Sequence, residues 1–305
     1  MSRRSLIVMA STMVLMSIAG PGAATFPGAN GRLVVVRIVR DSGWVVTTME
    51  PDGSDPRRVY TLDGFRYSIQ GVDWSRDATR LAVNPCCGEQ ISHSIVSIAA
   101  DGSDPRGLLR KGSYPAWSHD GSQIAFQKYG QLDGRFKSWI FVADADGSNV
   151  SRFTAERSAR ALYPAWSPDG TRIAFIRSMQ GFVIKPVSGG SSTVIALPDG
   201  VVVAEQLEWA PDGSALTFIG YSCFGDCADV WTVDAAGTTF TRLTHTPRAV
   251  ETDADWSPDG STIAYVRFTD PGFGSSDLWF MDADGSNKRA LETKRLEFFV
   301  DWATT

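Results

Sequence analysis

Apolar and polar residues alternate in short stretches along this chain, and tight turns separate the stretches at regular intervals. In the segment YPAWSPDGTRIAF, the first stretch ends at Trp166, and Pro168-Asp169-Gly170 provides residues that favour a tight turn. The second stretch places Ile173 and Phe175 on the same side of an extended chain. This period-two pattern with its turn residues predicts antiparallel β-hairpins.

The same pattern recurs and marks six units. Each unit has a tryptophan at the end of its first predicted strand, and these tryptophans are 43, 49, 43, 47 and 46 residues apart. A second turn follows the third predicted strand, as in the DADGSN sequences that begin at Asp144 and Asp282. Each unit is therefore predicted to be a four-stranded antiparallel sheet, and such repeats are typical of propeller blades. The tryptophans are Trp74, Trp117, Trp166, Trp209, Trp256 and Trp302.

The two ends of the repeat region are complementary half-units. Residues 30–35 match the second strand of a unit and lack its tryptophan strand, whereas residues 299–302 form a tryptophan strand with nothing after it. We expect the last strand to complete the first blade, because closing a ring of sheets leaves few exposed strand edges. The predicted fold is an all-β, six-bladed β-propeller.

The first 24 residues have the features of a secretory signal peptide. Arg3 and Arg4 precede an apolar stretch from residue 6 to residue 19, and small residues at 22–24 offer a cleavage site. We therefore predict a signal peptide at 1–24, a propeller domain at 25–305 and a secreted or periplasmic location, with no transmembrane segment after cleavage. The alternative is an uncleaved N-terminal anchor.

The charge of the chain argues against one class of partner. The formal net charge is −5, and the sequence contains no run of basic residues. Proteins that bind nucleic acids usually carry basic patches, so we expect no nucleic-acid partner. We expect a monomer.

The repeated phrases PxWSPDGxxIAF and DADGSN resemble those of the TolB-like six-bladed propeller family. The resemblance covers essentially all of residues 25–305 and implies the propeller fold without the N-terminal domain of TolB. It leaves function open, because one fold supports many roles.

Strand parity places the P-D-G and D-G-S turns on one face of the propeller, which we call the turn face. The variable connections lie on the opposite loop face, where we expect binding, because variable loops on rigid scaffolds often carry function. These connections span residues 61–71, 84–94, 127–137, 154–162, 220–229 and 268–277. The aromatic residues predicted to act as anchors there are Phe65, Tyr67, Tyr129, Phe136, Tyr221, Phe224 and Phe273.

A candidate site lies at the channel mouth, where the residue before the tryptophan is acidic in four consecutive blades. The first strand of each blade is expected to be innermost, so these side chains should lie near the central channel. The predicted ligand-binding residues are Asp73, Tyr114, Tyr163, Glu208, Asp253, Asp255 and Asp301.

Such acids favour a cation, either a hard metal such as Ca²⁺ or a basic group of a partner. The candidate metal ligands are Asp73, Asp255 and Asp301. The structural alternative is that each acid accepts a backbone N–H or pairs with an arginine such as Arg177 or Arg267.

The four cysteines lie in two loop-face connections of different blades. Because a disulfide requires Cα atoms within about 7 Å, local pairing is favoured over pairing between these blades. We predict a Cys223–Cys227 disulfide, with a vicinal Cys86–Cys87 bridge as a second candidate.

Three functions fit these features. The first is a secreted, non-catalytic propeller that binds a protein or a cell-envelope component through its loop face and channel mouth. The second is a metal-dependent hydrolase or lyase with a cation at the channel mouth and His93 or Tyr163 as acid/base. The third is a carbohydrate-binding module. The sequence offers no Ser/His/Asp or Cys/His set that points to nucleophilic catalysis.

Overall fold

The computed structural model describes residues 29–39, 42–63, 68–86, 94–155, 160–177, 181–201, 203–221, 228–246, 249–268 and 275–305. Within these ranges the chain forms 23 β-strands and contains no helix. The strands are β1 (Asn30–Val39), β2 (Gly43–Met49), β3 (Arg57–Leu62), β4 (Ser68–Trp74), β5 (Arg80–Cys86), β6 (Ile95–Ala99), β7 (Arg106–Leu109), β8 (Ser113–Trp117), β9 (Gln123–Leu132), β10 (Arg135–Asp144), β11 (Ser151–Arg152), β12 (Ala161–Trp166), β13 (Arg172–Arg177), β14 (Gly181–Pro186), β15 (Thr193–Ile195), β16 (Val203–Trp209), β17 (Ala215–Tyr221), β18 (Ala228–Asp234), β19 (Phe240–Arg242), β20 (Val250–Trp256), β21 (Thr262–Phe268), β22 (Ser276–Asp282) and β23 (Arg289–Thr304).

The strands form an all-β propeller built from four-stranded antiparallel blades. Strands β4–β7, β8–β11 and β12–β15 each make a separate four-stranded sheet. The remaining strands form one eleven-stranded sheet, in which β19 pairs with β18. Within that sheet, a single parallel pair between Ala228 and Val250 joins β18 to β20. None of the described residues forms a helix long and apolar enough to cross a membrane.

Strand β23 contributes to two groups of strands. Its first part pairs with β22, from Ser276↔Arg295 to Phe280↔Arg289, and its last part pairs with β1, including Leu33↔Trp302. The sequence predicted separate fourth and first strands here, but the structure shows one 16-residue strand. The chain therefore passes from the outer edge of one group to the inner edge of the next without a turn.

The repeated turns hold themselves together by short-range hydrogen bonds. In the Pro168-Asp169-Gly170 turn, the Asp169 Oδ1 atom accepts hydrogen bonds from Ser167 Oγ and from the Thr171 backbone N–H. Gly170 adopts a φ of 67°, which an L side chain disfavours. This arrangement explains why the turn phrase recurs.

Hydrophobic cores form between neighbouring sheets. Phe182 of β14 contacts Phe218 of β17 with ring centroids 4.7 Å apart, and both side chains are buried. Ile95 of β6 and Phe126 of β9 share another buried cluster. A blade of this kind cannot cover both of its faces alone, so the stacking of sheets supplies the burial that stabilises the fold.

The tryptophans at the ends of the inner strands pack in these cores. The Trp302 ring contacts Phe280 at a centroid distance of 5.9 Å, and its Nε1–H donates to the Gly31 carbonyl at 3.1 Å. Trp44, which does not follow the repeat, packs against Phe298 at a centroid distance of 4.7 Å.

We predict that Trp302→Ala lowers the free energy of unfolding by about 3–5 kcal/mol, because it leaves a cavity where the ring packs against Phe280. Chemical denaturation followed by tryptophan fluorescence measures this loss. Phe136→Ala is the matched control: its side chain is 71% exposed, so its effect should stay within about 0.5 kcal/mol. Equal losses for the two variants would contradict the packing role of Trp302.

Candidate binding site in the channel and on the loop face

The inner strands surround a channel that contains two cavities. The cavity on the turn-face side has a volume of about 100 Å³, and the one on the loop-face side has about 70 Å³. The residues that line both cavities are Asp73, Ala116, Glu208, Asp255 and Asp301. The four acids before the tryptophans therefore lie where the two cavities meet, and Tyr114, Tyr163 and Asp253 line the loop-face cavity alone.

Three of these carboxylates connect one inner strand to the next. The Trp117 backbone N–H donates to Asp73 Oδ2 at 2.6 Å, and the Trp74 N–H donates to Asp301 Oδ2 at 2.6 Å. The Trp302 N–H donates to Asp255 Oδ2 at 2.7 Å. These contacts realise the structural alternative of an acid accepting a backbone N–H, and they orient the carboxylates around the channel.

Asp255 and Asp301 approach each other closely. The same Trp302 N–H lies 2.7 Å from Asp255 Oδ2 and 2.7 Å from Asp301 Oδ1. The proximity of the Asp301 carboxyl group raises the pKa of Asp255 further, because two neighbouring negative charges repel each other. Asp253 joins the same region, because its Oδ2 atom accepts the Val300 N–H at 2.8 Å.

Burial disfavours the ionised form of all five carboxyl groups. Burial raises the pKa of Glu208 to about 8, with a further contribution from Asp301, and raises the pKa of Asp253 to about 8. Burial and the charge of Asp301 raise the pKa of both Asp73 and Asp255 well above the usual range. Burial also raises the pKa of Asp301 itself. The channel therefore retains protons at neutral pH.

The predicted arginine partners lie elsewhere. Arg267 faces Glu251 across the β20–β21 pair, with Nε 3.8 Å from Oε1, and it does not pair with an acid of the channel. Burial raises the pKa of the fully buried Glu251 to about 7. Arg177 lies opposite Ala161, where the inner strand offers no acid.

Sequence analysis missed this Arg/Glu register, although a signal for it exists. Glu251 and Glu297 both lie five residues before an inner-strand tryptophan, and Arg267 and Arg37 lie directly opposite them on the facing strands. Comparing these two units of the repeat could therefore have predicted that Glu251 faces Arg267 and that Glu297 faces Arg37.

On the loop-face side, β-bulges turn two tyrosines towards the channel. A register shift precedes the tryptophan in β8 and in β12, and Tyr114 and Tyr163 adopt φ values of 51° and 50° there. Such values are uncommon for bulky residues. Side-chain oxygens of the preceding blades hold these bulges, because Asn84 Oδ1 accepts the Tyr114 N–H and Gln127 Oε1 accepts the Tyr163 N–H.

The two tyrosine rings form one aromatic unit at the mouth. Their centroids are 4.5 Å apart in an edge-to-face arrangement. Burial raises the pKa of both Tyr163 and Tyr114. The charges of Tyr129 and Glu205 raise the two pKa values further. Tyr221 donates to Glu205 Oε2 at 3.3 Å beside them.

On the turn-face side, two residues depart from the repeat. Arg76 and His119 replace the proline that lies two residues after the tryptophan in three other blades, and both line the turn-face cavity. Burial, together with Arg76, lowers the pKa of His119. The sequence analysis did not select Arg76, although the missing proline marked it.

The segment predicted as a loop at residues 127–137 is a β-hairpin. Strands β9 and β10 continue to Leu132 and Arg135, and Asp133-Gly134 forms a two-residue turn with positive φ at both positions. Asp-Gly between extended stretches is a strong hairpin signal, which the sequence analysis overlooked. Tyr129 and Phe136 are exposed on this hairpin, as predicted, with 59% and 71% of their surfaces accessible.

Other predicted residues lie outside the described part of the chain. They are Phe65, Tyr67, Cys87, His93, Cys223, Phe224, Cys227 and Phe273, together with residues 1–28. Cys86 ends β5, and both cysteine pairings remain predictions.

The described residues offer no obvious metal site. No three Asp, Glu, His or Cys side chains among them are grouped so that they could hold one ion. Asp73, Asp255 and Asp301 instead accept backbone N–H groups, as described above.

Comparison with known families supports the repeat assignment. A family model described as the TolB beta propeller domain matches residues 133–298, more than half of the chain. The chain belongs to this family. No curated protein matches it.

Solved structures agree with the TolB propeller fold. TolB from Acinetobacter baumannii is 18% identical, with a TM-score of 0.72 over 93% of this chain and 68% of that chain. A nidogen/laminin complex is 13% identical, with a TM-score of 0.65 over 89% and 98% of the two chains. An oligogalacturonate lyase in complex with manganese is 12% identical, with a TM-score of 0.55 over 81% and 70%. At these identities the likeness shows the fold alone.

We predict that the stability of the propeller decreases as the pH rises from about 4 to about 8. Glu208 and Asp253 have pKa values raised to about 8 in the folded state, so they release protons on unfolding. Their contribution to stability is complete below the unfolded pKa of about 4 and is lost as the pH passes the folded value. Melting temperatures across this range measure the effect.

Glu208→Gln should flatten this pH dependence by up to about 1.4 kcal/mol per pH unit, because glutamine keeps an acceptor and has no proton to lose. Asp199→Asn is the matched control, since Asp199 is exposed outside the channel and its replacement should leave the slope unchanged. An unchanged slope in Glu208→Gln would show that this carboxyl does not retain its proton.

Proposed function

We propose that this protein is an extracytoplasmic, non-catalytic propeller that binds a protein or cell-envelope component through its loop face and channel mouth. The observation that carries this proposal is the tyrosine pair Tyr114 and Tyr163, held at the mouth beside the exposed aromatic residues Tyr129 and Phe136. Exposed aromatic side chains on a rigid scaffold commonly provide the anchors of protein interfaces.

A closed ring of six blades would make this scaffold rigid. Pairing between β23 and β1 supports closure, because it joins the last strand to the first along seven residue pairs. The six inner-strand tryptophans, which together line one cavity, support the count of six. Closure would hold the loop-face connections in fixed relative positions, which lowers the entropic cost of binding.

The channel acids favour a structural role over metal-dependent catalysis. Asp73, Asp255 and Asp301 already orient backbone N–H groups. A hydrolase or lyase of the kind considered above needs a cation with open coordination positions, which calls for ligands grouped around one point. The manganese of the lyase described above belongs to that protein, and the fold likeness transfers no ligand set.

Protein binding also agrees with the similar structures. A propeller of the same fold occurs in the nidogen/laminin complex, and the family is named for TolB. The basic and apolar pattern of residues 3–24 supports export, which would place the loop face outside the cytoplasm. The tyrosine pair is edge-to-face, whereas a sugar-binding platform requires an exposed ring face, so carbohydrate binding is the less favoured alternative.

We predict that a photo-crosslinking amino acid at Tyr221 or Asp63, on the loop face, captures the same protein or envelope component from the envelope fraction of the source organism. Matched positions at Asp101 and Asp284, in exposed turns of the turn face, should give none of this product. Mass spectrometry of the crosslinked species identifies it. Products that form only from the turn-face positions would contradict a binding role for the loop face.

A further inference from the structure

A groove on the turn face separates the β4–β7 blade from the β8–β11 blade. Its cavity has a volume of about 490 Å³, which exceeds that of either channel cavity. Pockets that hold small molecules usually have volumes of about 300–1,000 Å³. Ser75, Arg76 and Trp117 line both this groove and the turn-face cavity, and Gly107 and Leu108 of β7 line it farther out. The groove therefore runs outward from the channel.

A small residue in the third strand of the β4–β7 blade leaves this space open. Ser97 of β6 lines the groove next to Trp117 of the following blade. In another blade the equivalent residue is Phe280, which contacts the ring of Trp302 in the blade that follows it. The residues at this register position in the six repeats are Thr48, Ser97, Val142, Ile184, Thr232 and Phe280. Serine is the smallest of them, so its side chain does not fill the space beside Trp117.

The arginine that could cover this space is held within its own blade. In the β12–β15 blade, Arg172 lies over the ring of Trp209 in the next blade, with Cζ 4.9 Å from the ring centroid. Arg80 occupies the equivalent position beside the groove. Its Nε–H instead donates to Ser97 Oγ at 2.7 Å, and its Nη1 group donates to Asp104 Oδ2 at 3.1 Å. The tryptophan of the groove stays only half-buried.

The two walls of the groove carry opposite charges. Arg80 and Arg106 of the β4–β7 blade share the Asp104 carboxylate, with Nη1 of the first 3.1 Å and Nη2 of the second 2.7 Å from Oδ2. One positive charge on this wall is thus left without a balancing acid. Asp120 and Asp146 of the β8–β11 blade line the other wall, and neither forms an ion pair within the described ranges. The remaining charged residues of the lining are Arg76 and Asp77, which are adjacent and opposite in sign.

The acids of the second wall are ionised and each keeps an oxygen available. Hydrogen bonds from Ser118 at Asp120, and from Ser148 at Asp146, lower the pKa of both carboxyl groups. All the hydrogen bonds that these two carboxylates accept within the described part of the chain go to Oδ1. The Oδ2 atoms are therefore available to a ligand, and both residues are exposed.

We infer that this groove binds a small zwitterion of the amino-acid type, either an α-amino acid or a dipeptide with an apolar side chain. The ligand carboxylate accepts hydrogen bonds from the Nη1 group of Arg106, which makes no bond to the described residues. The ligand ammonium donates to Asp120 and Asp146, and the apolar side chain packs against Trp117 and Leu108. The groove lies on the turn face, so this site goes beyond the proposed function and does not depend on it.

A zwitterion fits these walls better than a ligand with a single charge. An anion would pair with the arginine wall and be repelled by the carboxylates opposite, and a cation would meet the reverse arrangement. Hydrogen bonds to charged groups contribute about 1.5–3 kcal/mol each, so both walls must be used for a small ligand to bind well. The opposite charges can instead serve only to attract the two blades to each other, and the experiment distinguishes these roles.

The test uses isothermal titration calorimetry with the full propeller and two probes, phenylalanine and the dipeptide Phe-Phe. Each probe is also measured with its amine acetylated and with its carboxylate amidated. We expect at least one unblocked probe to bind. Each of its blocked forms should bind at least about tenfold more weakly, because blocking removes the contacts with one charged wall.

Charge variants locate the binding on the carboxylate wall. Asp120→Asn with Asp146→Asn should weaken binding by about tenfold or more, because asparagine keeps the Oδ1 acceptor of the turn and removes the charge. The matched control is Asp212→Asn with Asp284→Asn. These residues occupy the equivalent turn positions of two other blades, where their replacement should leave affinity unchanged.

A second pair of variants tests the cavity and the arginine wall. Ser97→Phe should abolish binding, because it places in the groove the side chain that Phe280 provides in its own blade. The melting temperature of this variant shows whether it folds. Arg106→Gln provides a measurement that does not depend on core packing, since its side chain is 69% exposed, and it should weaken binding by about tenfold.

Four results would overturn the inference. The first is that neither unblocked probe binds more tightly than about 10 mM. The second is equal binding of the blocked forms, which would show that the two charged walls do not select the ligand and serve only the packing of the blades. The third is an equal loss in the Asp212 and Asp284 control, which would show a general effect of charge. The fourth is unchanged binding in a folded Ser97→Phe variant, which would place the ligand outside the groove.

Discussion

The hydrogen bond from a tryptophan N–H to a carboxylate of the preceding inner strand is the interaction on which the centre of the propeller depends. An inner strand has a neighbouring strand on one side only, so the N–H groups on its other side face the channel. Leaving them unpaired would be costly. Asp73, Asp255 and Asp301 provide three such acceptors and at the same time connect four consecutive inner strands, β20, β23, β4 and β8.

Placing carboxyl groups at the channel as acceptors brings like charges together. Their raised pKa values reduce this repulsion, because the groups keep protons. Five carboxyl groups surround a narrow space, and burial raises the pKa of each. Ionised carboxylates in such proximity would repel each other, whereas a protonated carboxyl group avoids this repulsion. Backbone N–H groups of the fold thus engage the carboxylates of Asp73, Asp255 and Asp301.

The sequence predicted those features that repeat in every blade, and failed where one blade differs. Turn chemistry and period-two alternation located the inner tryptophans and the acids before them. The pairing of Arg267 with Glu251 depends on a register shift at a β-bulge, which alternation alone does not reveal. Residues 127–137 were predicted to be a loop, because the connection at this position differs in length between units. The Asp133-Gly134 pair nevertheless marked a hairpin. The repeat implied a boundary between a fourth strand and the following inner strand, but β23 continues through it without a break.

The blades solve the problem of exposed inner-strand N–H groups in two different ways, and this makes the two sides of the channel unlike. Ala116 and Ala165 offer no carboxylate to the tryptophan N–H groups of the next inner strands, β12 and β16. In β12 the neutral side chain of Gln127 accepts the Tyr163 N–H, and in β8 Asn84 accepts the Tyr114 N–H in addition to the bond from Trp117 to Asp73. The same two blades carry the tyrosine pair. The channel therefore has an aromatic, uncharged sector and, across from it, an acidic sector. An asymmetric ligand would meet different surfaces in these two sectors, which a ring of identical blades would not offer.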